Sequence, residues 1–280
     1  MYTTSMKLRL RALLTILTVF SAQSLFSVNY DSYYSALPDN GIRELASAAE
    51  SFEQHYFKNM NYIIHLQTPG FVRKNVTNVR EYKPKKYSHL VRPVEHRRWL
   101  DGQPVETGRM LDFAVNTPGG TANKAFFTVQ LPQGVMAYTR DGRFRVDHSN
   151  RLVTVSGHFP VLGENGFIEL SQDYDLSVSR AGMIYNYDSP VDRLKITVFK
   201  SFEDMKHLQA FNNVFFILEE EVDVDDRIGQ YQVQQGFLIQ SNTFNAYDTF
   251  YTQNAYAYTT KSLYKLIDVN RTIYTATIDP

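Results

Sequence analysis

Residues 105–218 form a succession of short runs rich in β-branched and aromatic residues, broken by Gly, Asn or Asp every 8 to 12 residues. AFFTVQL, GVMAYTR, GRFRVD, RLVTVSG, FPVLG, GFIEL, DLSVS, GMIYNY and LKITVF follow one another in this way. Such a rhythm predicts a meandering antiparallel β domain. Asp141–Gly142 is a hairpin-turn signal within it, and Ser149–Asn150 is a weaker one.

Helical periods flank this region. Ile42, Leu45, Ala49, Phe52, Tyr56, Met60 and Ile63 recur at spacings of 3, 4, 3, 4, 4 and 3, close to a heptad seam that needs a partner helix. Asp39 or Asn40 can cap its start. Its end is expected near Gln67, because Pro69 restricts Thr68 and Gly70 permits a turn. From Ser241 the period returns, with Phe244, Tyr247, Tyr251, Ala255 and Tyr258 at spacings of 3, 4, 4 and 3. Ser241 or Asn242 can cap this second helix. Tyr256 and Tyr264 lie off the seam, which suits a helix with several neighbours. The expected fold class is therefore α+β: an antiparallel β-rich middle domain with long N- and C-terminal helices that pair with each other. Ile42, Leu45, Phe52, Tyr56 and Ile63 are expected to pack on Phe244, Tyr247, Tyr251 and Tyr258.

Lys7, Arg9 and Arg11 precede an apolar run from Ala12 to Phe20, and small residues follow from Ser21. This describes a secretory signal peptide. The run is short of the roughly 20 apolar residues that span a bilayer, with a retained anchor as the alternative. Ala22 and Ser27 are the candidate cleavage positions. Expected boundaries are 1–28 signal peptide, 29–78 N-terminal helical arm, 79–228 β-rich middle domain, and 229–280 return segment and helix.

A chain of 280 residues, 43% hydrophobic, can bury a core without disulfides, and it contains no cysteine. Acidic and basic residues balance at 29 each, which gives no electrostatic case for nucleic-acid binding. Between Val72 and Arg98, nine Lys or Arg stand against two Glu. That segment is either a solvated connector or a contact for an acidic partner such as cell wall or anionic lipid. Glu219 to Asp226 is acidic but lacks the ligand order and central glycine of an EF-hand, so an exposed loop is expected. The seven histidines are scattered, no G-x-S-x-G elbow occurs, and Gly119–Gly120 opens no phosphate loop. No catalytic residue, metal ligand or cofactor site is predicted.

Five stretches, in order, resemble the bacterial flagellar basal-body rod and hook protein family. They are the helix after Gly41 ending in TPGFVRK, with Thr68, Pro69, Gly70 and Phe71; TGRMLDFAV followed by FFTV; AYTRDGRFRVDHSNRLVTVSGHFPVLG, which includes Asp141 and Gly142; VQQGFLIQSN, with Gly236, Phe237, Ser241 and Asn242; and NAYDTFYTQNAYAYTTKSLYKLID. The resemblance implies a non-enzymatic axial or accessory component whose terminal helices pair while the β domain faces outward. Its partners would be other axial or basal-body proteins, or further copies of itself, with a cell-wall contact through residues 72–98. VQQGFLIQSN would be the return connection, Gly236 permitting its turn and Phe237 anchoring it. The chain departs from the family at NMNYIIHLQTPGF, where bulky apolar residues replace an asparagine-rich turn, in carrying a secretory signal, and in the insertion NTPGGTANK. A periplasmic binding or adaptor module of the same fold is the alternative reading.

Overall fold

The computed structural model describes residues 40–278 apart from 84–87, 98, 119–123, 172, 221, 226–228 and 244–245. The expected signal peptide lies outside them. Helix α1 (Asn40–Ile64) leads through the turn at 65–70 into a long hairpin, β1 (Lys74–Lys83) and β2 (Ser88–Arg97). Short strands follow: β3 (Pro104–Glu106), β4 (Phe113–Asn116), β5 (Ala125–Gln130), β6 (Met136–Thr139), β7 (Phe144–Val146), β8 (Leu152–Thr154), β9 (Leu162–Gly163) and β10 (Gly166–Phe167). After them come β11 (Leu176–Val178), β12 (Met183–Asn186), β13 (Ser189–Arg193), β14 (Ile196–Phe199), β15 (Leu208–Ala210), β16 (Phe215–Leu218), β17 (Val224–Asp225), β18 (Gln232–Gln235) and β19 (Phe237–Ile239). Helix α2 (Ala246–Ile278) closes the described chain. No helix among the described residues is long and apolar enough to cross a membrane.

The largest sheet has six antiparallel strands in the order β15-β16-β6-β5-β14-β17. Side chains alternate across a strand, so AFFTVQ sends Ala125, Phe127 and Val129 to one core and Phe126 to another. The first core gathers Phe113, Phe144, Leu152, Ile168, Ile184 and Phe215, and the second gathers Trp99, Tyr138, Phe199, Met205, Leu208 and Phe216. With both faces covered, strand β5 is apolar on both sides, with one buried exception. The Thr128 hydroxyl meets that of Thr197 across the ladder at 2.9 Å.

The two turn signals exchange roles. Strands β6 and β7 do not pair, so Asp141–Gly142 is a buried corner and not a hairpin turn. The hairpin joins β7 to β8, and its turn is the one containing Asn150, at φ 60°. Asp147 organises it by accepting from the Ser149 and Arg151 amides and from the Arg151 guanidinium. The backbone N–H of Arg151 and the other donors hold the Asp147 carboxyl below its ordinary range. The acidic run is also more than a loop, since Val224–Asp225 pairs with β14 as an edge strand.

The chain forms two compact units. One collects α1 through Glu50, the hairpin segment Arg80–Arg92, and α2 from Lys261. Ile42, Ala49 and Ile267 are its buried apolar centre, flanked by Leu45, Ala46 and Leu263. The Ser47 hydroxyl donates to the Glu44 carbonyl and accepts from the Val91 amide at 3.1 Å. The other unit holds Ser51–Val79 and Pro93–Thr260, and therefore all the remaining strands.

The Thr128–Thr197 pair yields a prediction. Thr128→Val alone strands a buried hydroxyl and costs about 2 kcal/mol, whereas Thr128→Val with Thr197→Val removes both partners and recovers most of that loss. Denaturant unfolding of the single and double variants checks it.

Candidate assembly joint and helix faces

Segments far apart in sequence meet backbone to backbone in the larger unit. Gly70 sits at φ 69°, and a Cβ there would lie 2.3 Å from the Asp141 nitrogen. It therefore serves both as a turn residue and as a close-approach residue. Its amide donates to the Ile239 carbonyl at 2.9 Å. At Gly142 only proximity matters, because a Cβ would reach within 1.7 Å of the Phe113 carbonyl oxygen. The Phe113 amide donates to the Gly142 carbonyl at 2.9 Å. Gly236 is the converse case. Its φ is 77°, nothing lies closer than 3.8 Å, and its carbonyl accepts from the Thr107 and Gly108 amides.

Asn242 ties the return segment to this joint. Its Oδ1 accepts from the Arg73 amide at 2.7 Å, its Nδ2 donates to the Leu100 carbonyl at 2.9 Å, and its amide donates to the Phe71 carbonyl at 3.3 Å. The described part of helix α2 starts at Ala246, and Thr243 before it is not helical. Ser241 and Asn242 are thus not its cap, because the Asn242 side chain is committed to the joint. Ser241 is buried and bonds the Thr243 hydroxyl at 2.6 Å. The anchor of the segment also differs from expectation: Leu238 and Ile239 are buried, while Phe237 is half-buried.

Beside the joint, Phe71 is buried and stacked on His65 at 4.7 Å, and burial pushes the His65 pKa down. His65 also bonds Thr68 Oγ1 at 3.1 Å, and Pro69 is buried. Asp141 forms a two-point ion pair with Arg143, at 2.9 and 2.7 Å, and this bonding raises the Arg143 pKa. Arg140, 2% exposed, lies over the Phe126 and Trp99 rings and reaches Asp101 at 3.3 Å. Burial pushes its pKa down to about 10 against the pull of Asp101, so it remains a cation at neutral pH.

The helix seams are less regular than their apolar spacing. In α1 the buried positions run Ile42, Ser47, Ala49, Ser51, His55, Asn59 and Tyr62. Tyr56 and Ile63 are half-buried and Met60 is 38% exposed. The second half of α1 thus turns a polar row inward. Ser51 Oγ and His55 Nε2 both meet Asn78 Oδ1, at 2.6 and 2.8 Å, and the Tyr62 hydroxyl donates to the Lys74 carbonyl. Hydrogen bonds to strand β1 explain the burial, and apolar spacing cannot register them. Phe52 meets Tyr256 at 6.1 Å, His55 stacks on Tyr256 at 5.1 Å, and Asn59 donates to the Thr249 carbonyl at 2.8 Å. Within the larger unit helices α1 and α2 thus touch through Tyr256 and Thr249. Tyr251 and Tyr258, expected in the seam, are 70% and 72% exposed. Phe244 lies outside the described residues, as does the Tyr247 side chain.

This architecture defines a class: an antiparallel β domain whose end segments lock together and carry long terminal helices. Residues 122–186 match the family described as flagellar hook protein FlgE/F/G D1 domain, so this segment of the chain is similar to that domain of the flagellar rod and hook family. The flagellar basal-body rod protein FlgG of Buchnera aphidicola subsp. Acyrthosiphon pisum is 40% identical over 95 residues, which cover 34% of this chain and 33% of that protein. FlgF of Buchnera aphidicola subsp. Baizongia pistaciae is 24% identical over 164 residues, covering 57% of this chain and 62% of the relative. FlgG of Borreliella burgdorferi is 32% identical over 88 residues, covering 31% of each chain. The chain spans about a third of the length of the FlgG relatives it matches.

Two predictions follow from the joint and the helix–strand contact. Gly142→Ala should cost about 3 kcal/mol or more and exceed the roughly 1–2 kcal/mol of Gly236→Ala, since one drives a methyl into backbone and the other only strains φ. Chemical denaturation ranks the two. The Tyr62 phenol, pushed up to about 12 by burial, is held in its neutral form in the folded state. Its contribution is complete below about pH 10 and is lost as pH rises from 10 to 12, where the unfolded chain ionises first. Tyr62→Phe should cost about 1 kcal/mol at neutral pH and flatten the fall in stability across that window, as pH-dependent unfolding would show.

Proposed function

We propose that this chain is a non-enzymatic structural or accessory component of the bacterial flagellum, a rod- or hook-like axial protein that acts by protein–protein assembly in the periplasm. The observation that carries the reading is the surface of α2. This helix runs 33 residues, about 50 Å. It exposes Phe250, Tyr251, Tyr258, Tyr264, Leu266, Val269 and Ile273 at 44–72%, while Thr249 and Gln253 are among its buried residues. A helix that turns aromatic side chains to solvent and buries polar ones offers a surface that further chains can cover. The similarity to FlgG and FlgF supports axial proteins as those chains. Met60, Tyr251 and Tyr258 then serve between subunits, and Ile42, Leu45, Ala49 and Phe52 within the chain. The basic n-region and apolar run at residues 7–20 support delivery by general secretion.

Mass spectrometry of purified basal bodies from the source bacterium tests this. The protein should be enriched there with an N-terminal peptide starting near residue 23 or 28, and its recovery with the soluble periplasmic fraction alone would overturn the reading. Tyr258→Asp should leave the unfolding free energy of the isolated chain within about 0.5 kcal/mol, because the position is exposed, while abolishing incorporation.

A further inference from the structure

A cavity of about 860 Å³ opens on the larger unit, lined by the end of β2, the turn Asp204–His207 and strand β15. Trp99, Leu100, Met205 and Leu208 give it an apolar wall, and Phe202, 46% exposed, adds a ring to that wall. The basic groups contributed by β1 and β2 are already engaged. Lys74 donates to Glu95 at 2.7 Å. The Arg97 guanidinium donates to the Leu208 carbonyl at 2.7 Å and lies over the Phe216 ring. Glu219, exposed and the first residue of the acidic run, also lines the hollow. Residues 200–226 carry eight carboxylates against two lysines, so this flank of the cavity is acidic.

The far part of α2 has the complementary character. Leu266 and Val269 are 49% and 55% exposed and lie one turn apart. Lys261 and Lys265, both exposed, precede Val269 at intervals of four, so they border this apolar stripe. From Lys261 to Arg271 three cations stand against Asp268. One chain thus carries an apolar stripe edged by lysines and an apolar hollow edged by carboxylates.

We propose that the hollow of one copy receives α2 of a second copy, with Leu266 and Val269 entering against Phe202 and Leu208 while Lys265 meets Glu219. This is a helix face laid into an apolar groove, with the charge pair fixing its register. The two surfaces differ, so the contact is heterologous, and its repetition extends an assembly instead of closing a pair. The inference rests on the reading of α2 as an assembly surface and names a second copy as the partner.

Sedimentation velocity of the purified chain, run against concentration and salt, tests the contact. An open series of oligomers is expected, shortening as salt rises because the charge pair is exposed. Lys265→Glu and Glu219→Lys should each weaken association about fivefold, and the two reversals together should restore it. Leu266→Asp should weaken it about tenfold or more. These positions are exposed, so the variants keep the fold. Gln209→Cys in one tagged copy and Leu266→Cys in a differently tagged copy should join the two tags on oxidation. A chain that stays monomeric up to about 1 mM overturns the contact. So does association that the double reversal fails to restore, or oligomers in which the two tags never join. A monomeric chain enriched in basal bodies would sink this contact and leave the axial reading standing, and oligomers of a protein missing from basal bodies would do the reverse.

Discussion

Main chain pressed against main chain is the constraint on which the larger unit depends. Gly70 lies on the Arg140–Asp141 peptide and Gly142 on the Phe113 carbonyl, each too close for a Cβ. These contacts gather the end of α1, the strand before β5, the corner after β6 and the return segment into one joint. The hydrogen bonds from Gly70 to Ile239, from Phe113 to Gly142 and from Arg73 to Asn242 then have fixed partners. The joint brings together stretches up to about 170 residues apart, so the β domain and the roots of both helices hold each other in place.

Much of the β domain was legible in the sequence. Each of the nine apolar runs contains a strand, because alternating aromatic and branched residues punctuated by turn formers admit little else. What escaped was pairing. VQQGFLI forms two short strands against β4 and β3, more than a hundred residues earlier, and no local signal announces that. Asp141–Gly142 looked like a hairpin turn because Asp-Gly usually is one. Here the aspartate binds Arg143 and the glycine admits another backbone. Trp99, which stacks with Arg140 in the second core, carried no motif at all.

The helices show the opposite failure. Apolar spacing found α1 and much of α2, and Ile42, Leu45 and Ala49 do pack with Ile267, but in the larger unit it misassigned the inner face of their contact. Polar side chains hydrogen-bonded to strand β1 or to α2 occupy much of the buried row, as with His55 on Asn78 and Asn59 on Thr249. Such groups are buried without penalty when they find partners, and periodicity counts only the apolar ones. The aromatic residues counted toward an internal seam, Tyr251 and Tyr258, instead face out. Their exposure is what supports the proposed assembly, since exposed aromatic and apolar surface of this kind marks interaction sites.

The chain contains no cysteine, so a single introduced thiol reports its neighbour without background. Cross-linking in motile cells at Tyr251→Cys, with Phe167→Cys on the β domain as a comparison, tests the central claim most directly. The account predicts an adduct at position 251 that contains a flagellar axial protein or a second copy of the chain. Only un-cross-linked monomer at position 251, in cells where position 167 captures partners, would contradict it.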